Sequence, residues 1–307
     1  MTRTDRILPG VALMIAFCIV APLIDVASKL AGQGVPVGVI VLGRGLVQAA
    51  LMAPVVLVMG LSFRLGARAF GLLSLRAFLL VASTYCFVAA LRVMPIADAL
   101  AIVFVEPFVI LLIGRFAMGE EVGPRRLAAC AVGFVGSLLV IQPSFAAFGV
   151  VALLPLGTAV SFAFYMLVTR TLSASVHPVP MQFHTALLGA LVCMPLLAVG
   201  TALGEPSATF SLPRGVFWLW VFCVGLASAV SHMAITYALA FAPSSTLAPL
   251  HYLEIVTAVI FGYLVFGDLP NVLTIAGIVI IVASGLYIIH RERVTARALR
   301  ITTELPA

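Results

Sequence analysis

The sequence predicts an all-α, polytopic membrane protein of ten transmembrane helices arranged as two inverted five-helix repeats. Three observations carry this reading. Of 307 residues, 63% are hydrophobic and only 9% are charged, with a mean hydropathy of +1.24, whereas ordinary soluble domains are about 25% charged. Apolar runs of about 20 residues, enough for a helix to cross roughly 30 Å of hydrocarbon, recur along nearly the whole chain. Sliding the sequence on itself by 148 places Pro95 on Pro243, Glu106 on Glu254, Gly114 on Gly262, Gly119 on Gly267 and Glu120 on Asp268 without a gap. An offset of 141 likewise brings Lys29 onto Arg170 and Pro54 onto Pro195.

The spans follow from breaks at glycine, proline and charge clusters. The first, 7–30, is longer than the apolar core of a cleaved leader and is followed at once by another span, so it is read as retained. The second, 36–60, begins at Pro36 and carries Arg44 with Gln48 one turn further on. Arg64 and Arg68 precede the third, 72–92. Pro95 opens the fourth, 95–116, and a glycine-acidic turn closes it; Arg125 and Arg126 begin the fifth, 124–142. The second half repeats the series at 148–170, 180–203, 215–240, 243–266 and 271–290, again with a proline opening the fourth member. The chain thus divides into a first repeat (1–142), a second repeat (148–290) and a basic tail (291–307) that suits the surface of a membrane. A unit of five helices reverses direction, so the second copy is expected upside down, with a substrate site near the midplane between the copies.

Charge reports topology. With a cytoplasmic N-terminus, thirteen arginines (3, 6, 64, 68, 76, 115, 125, 126, 170, 291, 293, 297 and 300) fall inside and only Arg92 and Arg214 outside. The C-terminus then returns to the cytoplasm. The net charge of +6 forms no patch for nucleic acid, and the five cysteines all lie in apolar runs with no ligand spacing. No GxxxxGK nucleotide loop and no HExxH occurs, which leaves neither a power stroke nor a metalloprotease. Nothing calls for a cofactor. A carrier is favoured over an intramembrane enzyme, which needs paired aspartates or serine with histidine at catalytic depth, and over a channel.

The segments AALRVMPIADALAIVFVEPFVILLIGRFAMGEE and YALAFAPSSTLAPLHYLEIVTAVIFGYLVFGD, with the five-plus-five duplication, resemble the two EamA domains of the drug/metabolite transporter superfamily. That resemblance covers essentially the whole chain. It implies alternating access in the inner membrane of a bacterium, and places the fifth helix of each repeat at a homodimer interface. The superfamily includes amino acid exporters, vitamin and nucleotide-sugar carriers and drug efflux pumps. The stretch PLIDVASKLAGQG before an arginine-bearing second span is similar to a bacterial branch that includes riboflavin uptake carriers. This implies riboflavin ahead of amino acid or drug export.

Polar groups inside a membrane cost about 2.5–3.5 kcal/mol each on insertion scales, and so mark cavities or partners. The candidate substrate or ion ligands are Asp25, Arg44, Asp98, Glu106, His251 and Glu254, with Tyr85 and Tyr252 among the mid-depth aromatics. Asp25 and Lys29, four residues apart, can pair on one helical face, or Lys29 can extend to the surface. Arg44 is a candidate either for a carbonyl-bearing or anionic substrate or for a permanent pair with Asp25 or Asp98. Asp98 can equally be a helix cap. Glu106 and Glu254 sit about eleven residues into their spans, far from either end, which suits proton coupling or a structural role. His251 and Glu254, three residues apart, suit a hydrogen-bonded pair better than a metal site. His184 and His232 read mainly as packing residues. Pro107 has no counterpart, since Ile255 stands there, so any kink that Pro107 makes is expected in the first repeat alone.

Overall fold

The computed structural model describes residues 6–91, 96–119, 123–141, 149–267 and 272–304. Every regular element among them is helical: α1 Ile7–Ala31, α2 Val37–Val58, α3 Ala67–Ala90, α4 Ile96–Val103, α5 Glu106–Met118, α6 Pro124–Ile141, α7 Leu153–Leu172, α8 Pro178–Leu203, α9 Phe217–Phe241, the single turn α10 Ser244–Leu247, α11 Glu254–Phe266 and α12 Val272–Glu304. Short 3-10 segments, Gly149–Ala152 and Ala248–Leu253, lead into α7 and α11. Among the described residues, seven stretches are long and apolar enough to cross a membrane: α1, α2, α3, α7, α8, α9 and the run Ser244–Phe266.

Helix ends follow local chemistry. Pro178 opens α8, where a missing N–H costs nothing, and the His177 ring before it accepts from the Val179 amide at 3.3 Å. Both α5 and α11 stop at a glycine in the left-handed region, Gly119 (φ 63°) and Gly267 (φ 77°), a backbone that strains any residue with a Cβ.

Four elements depart from the sequence-based expectation. The third helix begins at Ala67 rather than 72, which carries Arg76 into the bundle instead of leaving it near a loop. The last helix runs on through Glu304, because RERVTARALR is made largely of good helix formers, so most of the basic tail is helical. The fourth and ninth spans are each broken near the middle. In the first break, the Val105 amide bonds Ile102 at 3.2 Å in a tight turn, and Pro107 has no N–H to continue the ladder from Val103. In the second, Pro249 plays the same part inside the 3-10 segment. Pro107 has no counterpart at Ile255, yet the second repeat is interrupted as well, with Pro249 at a non-equivalent position.

Consecutive helices run back and forth. The Arg6 amide bonds Phe241 O at 2.7 Å on the side that carries the N-terminus, and the Gly38 amide bonds Ser207 O at 2.9 Å on the opposite side. Helices of the two halves alternate in space: α1 lies along α9, α2 along α8, α3 along α7 and α6 along α12. Without a hydrophobic drive between helices in lipid, close approach by small residues holds such pairs together. A Cβ on Gly10 would stand 2.6 Å from Ala242 Cβ and 3.2 Å from Ala238 O, and one on Gly136 would stand 2.9 Å from Ile281 and 3.1 Å from Gly277 O.

Gly10→Val is expected to cost about 1–3 kcal/mol by overpacking the α1–α9 contact. Thermal unfolding in detergent checks this against Gly71→Val, where nothing lies within 4 Å and little change is expected.

Candidate functional site

Between the two halves lies a cavity with about 780 Å³ of atom-free space, its open mouth included. Asp25 from α1, Arg44 from α2, Glu106 from α5, His232 from α9, and His251 with Glu254 from the second break all line it. Phe17, Phe87, Phe104 and Phe162 supply an aromatic wall.

The helix breaks deliver the carboxylates. Glu106 is the first residue of α5 and Glu254 the first of α11. Each therefore sits at the positive end of a half-helix dipole, not mid-helix as the unbroken spans implied. One imidazole lies between them: His251 Nε2 is 3.0 Å from Glu254 Oε2, and Nδ1 is 3.3 Å from Glu106 Oε1. Glu106 and His251 are 2% and 4% exposed. The second contact is close but misaligned, so Glu106 Oε1 and His251 Nδ1 are buried without a formed hydrogen bond. The expected His251–Glu254 pair is present, and Glu106 joins it. The rings of Phe17 and Phe162 flank this imidazole at 5.3 and 6.1 Å.

Arg44, 6% exposed, donates to Thr84 Oγ1 and, through Nη2, to His232 Nε2 at 2.9 Å. A guanidinium has no lone pair to offer, so Nε2 must be the acceptor and the ring proton sits on Nδ1. That proton points at Tyr165 Oη, 3.0 Å away. His232 is thus a neutral relay between Arg44 and Tyr165 and lines the cavity, more than the packing residue expected. Among the described residues Asp25 forms neither of its two possible ion pairs: it shares the cavity with Arg44 without bonding it, and Lys29 takes the other course open to it, with Nζ over the Phe266 ring at 4.5 Å. A long flexible amine reaches the polar boundary more cheaply than it pairs in hydrocarbon.

Tyr85 and Tyr252 lie off the cavity. Tyr85 bonds Ser207 Oγ at 2.8 Å on the side opposite the N-terminus. Tyr252 donates to Phe104 O at 3.1 Å, and its ring fills the space left by Gly133. The side chain of Asp98 lies outside the described residues. His184 is a packing residue, bonded to Pro180 O at 2.8 Å beside Phe63 and Phe183.

The residue that sequence reasoning missed is Arg76. It is fully buried, and its guanidinium faces five acceptors: Nε donates to Thr169 (2.7 Å), Nη1 to Thr185, and the two N–H groups of Nη2 are shared among Tyr165 (2.6 Å), Gln182 (2.9 Å) and Thr236 (3.1 Å). Each threonine spends its own proton on the carbonyl four residues earlier, at Tyr165, Met181 and His232, which leaves only lone pairs facing the guanidinium. The cage is neutral and drawn from α7, α8 and α9, while Arg76 belongs to α3. The signal in the sequence was Thr169, Gln182, Thr185 and Thr236, polar residues spread over three spans.

A multi-span helical bundle with charged groups gathered in a central cavity, and helices interrupted at that cavity, is the architecture of a small-molecule carrier. Comparison with known proteins gives the family: the EamA-like transporter family model matches residues 8–142 and 149–290, and the chain belongs to it. A riboflavin transporter of Rhizobium johnstonii is 33% identical over 206 residues, 67% of this chain and 66% of that protein. A riboflavin transporter of Brucella anthropi is 27% identical over 291 residues, 92% of this chain and 99% of that one. A solved crystal structure, 19% identical, superposes with a TM-score of 0.73 over 91% of this chain and 94% of its own, which shows a shared fold. The protein is a multi-pass membrane transporter of small metabolites.

Nitrogen-15 NMR of histidine-labelled protein is expected to show His232 neutral, protonated at Nδ1 and bare at Nε2. A protonated Nε2 would mean that Arg44 does not bond it. Tyr165→Phe removes the link to Arg76 and is expected to cost about 1–3 kcal/mol in detergent unfolding.

Proposed function

We propose that the protein takes up riboflavin across a bacterial inner membrane by alternating access, with both termini in the cytoplasm. The observation that carries this reading is the pairing, in one cavity, of a buried donor with a wall of phenyl rings. Riboflavin is a planar, nearly uncharged ring system with imide carbonyls and a polyhydroxylated chain. Arg44, already oriented by Thr84 and His232, would donate to the carbonyls; Phe17, Phe104 and Phe162 would cover the ring; Asp25 would accept from the chain hydroxyls. The names of the Rhizobium and Brucella relatives support the same substrate. The three cavity carboxylates favour a second reading, export of an amine-bearing amino acid or drug.

In this proposal the ten spans form two inverted copies, and residues 148 apart support it by meeting in space. Glu106 and Glu254 share His251, and the rings of Phe104 and Tyr252 lie 5.6 Å apart. Where α6 meets α12, Ser284 bonds Ala129 O at 2.8 Å while Gly136 faces Gly277 O, the reciprocal pair under the same offset. The last helix of each copy would be the scaffold, and a place for a second chain to dock. The Arg76 cage and, beyond it, the buried cluster of Leu73, Leu172 and Met181 lie between the cavity and a surface hollow lined by residues 61–72 and 171–180. We assign these two layers as the closed gate on the N-terminal side, which must part for release.

Growth of a riboflavin auxotroph lacking its own transporter tests the substrate: rescue on micromolar vitamin is expected, and no rescue by a well-expressed chain, with uptake or export of another metabolite from a labelled panel, would replace it. Arg44→Ala removes a charged donor worth about 1.5–3 kcal/mol and is expected to weaken riboflavin binding about 10- to 150-fold. For the gate, a disulfide formed between Leu73→Cys and Met181→Cys in a background free of other cysteines should halt transport, and reductant should restore it. Undiminished transport in the fully oxidised protein would overturn the assignment.

A further inference from the structure

We propose that Glu106, His251 and Glu254 form a proton-binding site, so that one proton moves inward with each substrate molecule. The inference rests on the transport reading above and adds its coupling ion. Three features carry it. The group holds two acids for one base, so even with a charged imidazole one carboxylate remains uncompensated in a largely buried site. It also contains two buried atoms, Glu106 Oε1 and His251 Nδ1, that lie 3.3 Å apart with no formed hydrogen bond. Buried polar atoms held so loosely call for an explanation; a proton shared across that gap supplies one. Finally, the two carboxylates head half-helices from opposite halves of the chain. Any rearrangement of one half against the other therefore changes how they share the imidazole.

The surroundings confine the proton to this group. Facing it are Asp25 and Cys18 from α1, Arg44 from α2, His232 from α9, and Tyr252, which bonds Cys130 of α6. On α7, Phe162 stands between the cluster and Tyr165, and among the described residues α12 brings the apolar Ile281 and Gly285 toward the break. Arg44 is already held by Thr84 and His232, and so does not neutralise the cluster directly. One added proton makes the cluster neutral, and a neutral group is much cheaper to occlude than a charged one. Since Arg44 and the phenyl wall would take the substrate while other groups take the proton, the two do not compete. Absence of competition gives symport; competition for shared groups would give exchange.

The test uses the full chain in liposomes with labelled riboflavin. An acidic exterior should drive accumulation above the external concentration, a protonophore should abolish it, and a sodium gradient at equal pH should not replace it. In Glu106→Gln and Glu254→Gln, the flux that remains should no longer respond to the proton gradient. Equilibration without accumulation, drive by sodium, or drive by an alkaline exterior would each overturn the proposal. Infrared spectra of the purified protein give a readout independent of substrate: an un-ionised carboxylic acid band should titrate in the wild type and be lost in both variants. If that band behaves so while riboflavin is not moved, the vitamin assignment fails and the proton site stands; if no such band exists, the proton site fails.

Discussion

The rest of the structure depends on a backbone constraint. In hydrocarbon every N–H and C=O must find a partner, so a helix can be interrupted only where protein or a water-filled cavity covers the break. This chain interrupts two helices, before Glu106 and before Glu254, and brings both breaks to one place. The cavity follows from them. Each break ends one helix short and starts another, and the first residue of each new helix is the carboxylate. A lone glutamate among Val103, Phe104 and Val105 is thereby given a helix terminus, an imidazole and a polar chamber.

The same physics governs the two buried arginines, with different solutions. A guanidinium cannot shed its proton, so burial has to be offset by acceptors. Arg76 receives them all from neutral groups on three helices of the other half, which makes it a cross-link between halves. Arg44 receives Thr84 and His232 and keeps its place on the cavity wall. Tyr165 joins the two, since its hydroxyl meets both Arg76 and His232. A connected set of hydrogen bonds therefore runs from Arg44 on the cavity wall through His232 and Tyr165 to Arg76.

Much of this was legible from residues alone. Hydropathy announced the spans, and the 148-residue offset marked Glu106 and Glu254 as related. The depth of Asp25, Arg44 and His251 singled them out, and all three line the cavity. The failures have separate causes. Tyr85 and Tyr252 stand at the right depth but face Ser207 and Gly133, because depth along a helix does not fix which side of it a ring occupies. Arg76 was counted with the loop arginines because a short polar run before it hid five residues of helix. Its partners gave no local signal, being spread over three other helices.

By itself, then, the sequence determined the membrane class and the helical periodicity and marked a duplication, because those depend on composition and on order along the chain. The tertiary structure alone decided which charges meet. It placed His251 between two glutamates 148 residues apart, gave Arg76 to Tyr165, Gln182 and three threonines, and turned a proline in each half into a helix break at a shared cavity. The physical reason is that a buried polar group is satisfied by whatever neighbour the packing supplies. In this bundle the neighbours come from the other half of the chain.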